Sequence, residues 1–95
     1  METKSTNRKD LTFKIDNAHA LKKRLEKMTE SLEKTVGNMI PPPSLLFLVD
    51  IVKQVLIHED LSEVLKVGFN RTSGSIFVTD KDDYVVCLIN YREPR

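Results

Sequence analysis

Apolar positions along this chain change rhythm three times. Leu11, Phe13 and Ile15 alternate with Thr12, Lys14 and Asp16, the period-2 pattern of a half-buried strand over about residues 11–15. Ala18, Leu21, Leu25, Met28 and Leu32 then recur at spacings of three and four, and Val36 and Met39 continue after one slip of phase. That heptad-like seam predicts a helix over about residues 17–38, capped by Asp16 and stopped in a left-handed turn at Gly37-Asn38. The remaining surface of this helix is charged, and Glu30 and Lys34 stand in the favourable i,i+4 order.

Pro41-Pro42-Pro43 forbids helix, because each proline lacks an N–H and constrains the residue before it. The triplet reads as a stiff elbow, and Ser44 as the cap of a second helix over about residues 45–58. On a helical wheel Leu45, Leu48, Val49, Ile51, Val52, Val55 and Leu56 fall in an arc of about 160°. Asp50, Lys53, Gln54 and His58 fall opposite, and Leu46, Phe47 and Ile57 break into that polar side. A spanning helix needs about 20 mostly apolar residues. Leu45–Ile57 offers 13, with Asp50, Lys53 and Gln54 among them, so the stretch is not read as a membrane segment.

The last third has strand rhythm. Asp60 either caps one further helical turn carrying Leu61, Val64 and Leu65, or Val64 already begins a strand. Leu65, Val67 and Phe69 alternate with Lys66 and Gly68, NRTSGS is a turn-rich loop, SIFVT a short strand and DKDD a four-residue hairpin connection. YVVCLINY is apolar on both faces, with Tyr84, Val86 and Leu88 on one and Val85, Cys87, Ile89 and Tyr91 on the other. Such a strand is central in its sheet or meets a partner. The expected fold is therefore a two-layer α+β domain: two consecutive helices packed on a C-terminal three-stranded antiparallel meander, with a short N-terminal strand. Residues 1–9 are expected to form a flexible tail and residues 10–95 a single domain.

Composition adds limits rather than a function. Ninety-five residues, 40% hydrophobic and 31% charged, describe one ordinary globular domain with a small core. The net charge of +1 gives no global attraction to nucleic acid or to an acidic membrane. A lone cysteine and a polar N-terminus without a signal-type apolar run favour a cytoplasmic location, and Asn70-Arg71-Thr72 is read as a chance sequon.

Candidate chemistry is thin. His58, Glu59 and Asp60 are adjacent and so point in different directions on a helix. His19 is expected to be exposed in the first helical turn, and no spacing of His, Cys or carboxylates suits a metal or cofactor. Cys87, set in the most apolar strand, reads as buried and inert. Lys22, Lys23, Arg24 and Lys27 form a modest basic patch that suits phosphate contacts, but acidic residues share the helix and no aromatic residues sit among the bases.

The surplus of apolar surface points to a non-catalytic protein-interaction module of adaptor, inhibitor or assembly-factor type, self-associating through its helices. The expected interface comprises Leu21, Leu25, Met28, Leu32, Leu46, Phe47 and Ile57. The alternative is a nucleic-acid-binding or transcription-modulating protein using the basic first helix and the N-terminal arm.

Overall fold

In the computed structural model, which describes residues 11–92, two helices lie on one face of a four-stranded antiparallel sheet. The chain runs β1 (Leu11–Ile15), α1 (Lys22–Gly37), α2 (Leu45–His58), β2 (Lys66–Asn70), β3 (Ser75–Thr79) and β4 (Val85–Tyr91). Strand order is β1-β4-β3-β2. The last three strands form the expected meander, and β1 adds to it beside β4, with Leu11 opposite Tyr91 and Ile15 opposite Cys87. This places β4 in the sheet interior, between β1 and β3. The expected tail, residues 1–9, lies outside the described residues.

The covered face of the sheet follows from register. Phe13 pairs with Ile89, Ile89 with Ile76, Cys87 with Val78, and Val78 with Val67. Over this row lie Leu25, Met28, Leu32 and Val36 of α1 and Leu45, Leu48, Val52 and Leu56 of α2, all buried in one core. The helices touch each other, α1 reaches β1 and α2 reaches β2, so each helix covers one flank of the sheet. The opposite face carries Lys14, Leu88, Phe77 and Gly68 in one cross-strand row.

The structure departs from the sequence-based expectations where side chains compete with regular structure. The first helix begins at Lys22, not near residue 17. Asp16 Oδ1 instead accepts from the Ala18 N–H and His19 Nδ1 from the Leu21 N–H, at 3.0 and 3.1 Å. These local bonds satisfy the backbone in turns and offer it an alternative to helix. At the other end no left-handed residue appears: Asn38 has φ −93°, and the Asn38 and Met39 N–H groups bond the Thr35 and Val36 carbonyls. The i,i+4 pair on this helix is Lys22–Glu26, at 3.7 Å, rather than Glu30–Lys34.

The second helix keeps the expected bounds, and the Ser44 hydroxyl accepts from the Phe47 N–H at 3.2 Å. Its start is tied to the sheet, because the buried Tyr91 hydroxyl donates to the Pro43 carbonyl at 2.6 Å.

Strict alternation in β4 also fails. Val78 pairs with Cys87 but Thr79 pairs with Val85, so Val86 is the extra residue of a bulge. Val86 and Cys87 are consequently both buried, while Tyr84 and Val85 are exposed. A bulge of this kind sharpens twist next to the hairpin. That hairpin is shaped by Asp80, whose Oδ1 accepts from the N–H groups of Asp82 and Tyr84.

Candidate interaction surface

The outer side of α2 is the main unpartnered apolar feature. Six residues of this helix are buried, yet Leu46, Phe47 and Ile57 are 46%, 50% and 57% exposed. These are the three that fall outside the core arc on the wheel. Phe47 also begins a groove of about 590 Å³ between the helices, floored by Ile51 and walled by Lys34 and Thr35 of α1 and by Gln54 and His58 of α2. An isolated exposed leucine is ordinary, but three large apolar groups on one face of one helix are a patch.

The remaining expected interface residues sit elsewhere. Leu25, Met28 and Leu32 are fully buried within this chain, and Leu21 packs against the same core. Leu25, Met28 and Leu32 are therefore core residues of this chain, and Leu21 is partly buried at the edge of that core. A three-four seam packs one helix onto a neighbour of its own chain as readily as onto another molecule, and here the sheet and α2 take it.

The basic patch is partly occupied by the fold. One guanidinium nitrogen of Arg24 donates to the Glu59 and Asp60 carbonyls at 3.2 and 3.1 Å, closing the C-terminal end of α2. Lys22 pairs with Glu26, while Lys23 and Lys27 are exposed. Asn70, the sequon residue, uses its side-chain oxygen on the N–H groups of Thr72 and Ser73.

A polar cluster unanticipated from the sequence joins the turn before α1 to the β3–β4 hairpin. His19 is only half-exposed; its ring stacks on Tyr84 with centroids 6.5 Å apart, and its Nε2 faces Asp80 Oδ2 at 3.5 Å. Because Nδ1 accepts from the backbone, the neutral ring carries its proton on Nε2, toward the carboxylate. The Tyr84 hydroxyl, helped by the Ala18 N–H, holds the Asp16 carboxyl below its ordinary range. The Tyr84 N–H does most to lower Asp80, and Asp16 in turn raises the Tyr84 phenol. The polar atoms of the cluster are directed at its own turns, and its role is to hold two loops together. Nothing in sequence spacing signals it, since Asp16 and Tyr84 are far apart in the chain.

The pH dependence follows from these directions. Asp16 and Asp80 have folded values below their unfolded ones, so their stabilisation is present above the unfolded carboxylate range and is lost as pH falls through the lowered values. Tyr84 is raised, so its stabilisation is present below the ordinary phenol range and is lost as pH rises through the raised value. Tyr84→Phe should therefore move the Asp16 carboxyl back up toward its ordinary range. A carboxyl-carbon NMR titration of both chains reads this, and an unchanged Asp16 midpoint would remove the Tyr84 bond as the cause.

Cys87 is a buried free thiol, pushed up to about 12 by desolvation, which leaves almost no thiolate near neutral pH. Among the described residues no group of three or more His, Cys, Asp or Glu side chains is placed to hold a metal ion, and no helix is long and apolar enough to cross a membrane. No family, characterised protein or solved structure matches this chain, so the functional reading rests on its own geometry.

Proposed function

We propose that this chain is a small non-catalytic protein-interaction module whose working surface is the outer face of α2. The observation that carries the reading is the exposure of Leu46, Phe47 and Ile57 on a helix already anchored by six buried residues. These three side chains lie outside the buried core, and each leaves apolar area in water worth about 25 cal/mol per Å² when covered. The groove beside Phe47 gives a partner side chain a place to enter, and Lys34, Asp50 and His58 around it provide polar contacts at the rim. The module is of adaptor, inhibitor or assembly-factor type, and a cytoplasmic setting suits its single buried thiol. Phosphate contact through α1 is the weaker reading, because Arg24, at the centre of the basic patch, is spent on the Glu59 and Asp60 carbonyls.

The test places a photo-reactive phenylalanine analogue at position 47 and, as control, at position 14, which is exposed on the opposite face of the sheet. Irradiation in the native cell should give protein adducts from position 47 and few from position 14. No adduct from position 47, or equal yields from both positions, would overturn the proposal.

A further inference from the structure

We infer that the partner of α2 is α2 of a second copy of this chain, paired antiparallel about a two-fold axis, with Leu46 opposite Ile57 and Asp50 opposite Lys53. The inference rests on the reading above that the outer face of α2 is a binding surface.

Leu46, Asp50, Lys53 and Ile57 are all exposed, and they are spaced four, three and four. At 100° per residue that spacing keeps them within an arc of about 60°, so they form one stripe along the helix. Read in either direction, the stripe is apolar, charged, charged, apolar. A two-fold interface requires that if residue i meets residue j, then j meets i. The pairs Leu46–Ile57 and Asp50–Lys53 share one midpoint, between Ile51 and Val52. A single axis through that point therefore satisfies both pairs at once, twice over. Apolar ends meet apolar ends, and each carboxylate meets an ammonium.

Alternative arrangements are penalised by the same residues. A parallel pair in register sets Asp50 against Asp50 and Lys53 against Lys53. A slip of one turn sets a charged group against Leu46 or Ile57 and leaves its former partner unpaired. Polar residues at the centre of an apolar seam select register and orientation in this way. Neither Asp50 nor Lys53 has an ion-pair partner among the described residues, so both are available. The four-three-four spacing is also that of a seam between helices crossing at about 20°. Phe47 lies about 60° beyond Asp50 around the helix, on the groove side of the stripe, and flanks the contact. The stripe spans roughly 16 Å of helix, which places the interface at the small end of specific contacts.

The experiment uses the full chain and sedimentation velocity from about 5 µM to about 500 µM, a range suited to a small interface. The wild type should form dimers. Asp50→Lys and Lys53→Asp should each weaken dimerisation by about tenfold or more, since each places two like-charge pairs in the interface. An equimolar mixture of the two variants should associate as tightly as the wild type, because each then supplies the charge that the other lacks. The double variant Asp50→Lys/Lys53→Asp, which exchanges the charges within one chain, should dimerise as the wild type does. Circular dichroism should show the same fold throughout, as both positions are exposed.

A wild type that stays monomeric across the range overturns the pairing. So do single variants as tight as the wild type, or a mixture no tighter than its components. A monomer whose position 47 cross-links to a different polypeptide overturns the pairing and leaves the interaction reading standing. A monomer with no adduct at position 47 removes both.

Discussion

Leu32→Asp should unfold the domain, whereas Phe47→Asp should leave it folded and weaken its association. Leu32 is fully buried in the seam of α1, among the residues that pack on α2 and the sheet. An aspartate there places a carboxylate in an apolar core without a partner, a loss of more than about 4 kcal/mol. A domain of this size has roughly 5–14 kcal/mol in total, and a small core stands toward the lower end. The quantitative companion is Leu32→Ala, which leaves a cavity and should cost about 2–5 kcal/mol. Phe47 is half-exposed on α2, and its aspartate keeps the carboxylate in water, so stability should change by less than about 1 kcal/mol. Urea unfolding followed by circular dichroism measures all three. A folded Leu32→Asp chain that has merely lost association would return the α1 seam to the surface and reverse its assignment to the core.

These two positions also show what the sequence could reveal. Ser44 after three prolines marks the start of α2 because cap and breaker act locally, and the chemistry is visible at the site itself. The apolar run of β4 marks an interior strand for the same reason, although the helices cover only one face of the sheet and Leu88 on the other stays partly exposed. Leu32 and Phe47 could not be separated by pattern alone. A seam at three-four spacing has the same appearance whether its cover is in the same chain or another, and the cover is a matter of long-range packing. The start of α1 was hidden because Asp16 and His19 use their side chains on nearby N–H groups, a choice that periodicity does not record. The bulge at Val86 was hidden because it depends on how β3 and β4 come into register around Asp80. On the candidate surface, Leu46, Phe47 and Ile57 stood out by hydropathy. Asp50 and Lys53 looked like ordinary solvated charges until the helix was known to expose them on the same stripe as Leu46 and Ile57.

Gly74→Ala should destabilise the domain by about 2–3 kcal/mol, and Gly68→Ala by less than about 1 kcal/mol or not at all. Gly74 closes the β2–β3 turn with φ +71°, where a side chain is strained, and an added Cβ would lie 2.5 Å from the Tyr91 carbonyl oxygen. That contact is backbone and has no flexible end to move aside. Relief requires the end of β4 to shift, and Tyr91 is the wrong residue to displace. Its N–H donates to the Gly74 carbonyl at 2.9 Å, and its buried hydroxyl holds the Pro43 carbonyl just ahead of α2. A shift at the turn is therefore passed through Tyr91 to the segment that sets the position of Ser44 and the first turn of α2. Gly68 sits in the edge strand β2 with open space around its missing Cβ and no positive φ, so the same methyl group meets nothing there. Denaturant midpoints for the two variants give the comparison, and hydrogen exchange at Phe47 N–H, which bonds the Ser44 hydroxyl, reports whether the strain reaches α2. Equal stability loss at both glycines would show that the close approach to Tyr91 is not what fixes Gly74. Loss at Gly74 with unchanged exchange at Phe47 would confine the strain to the turn and separate it from the outer face of α2.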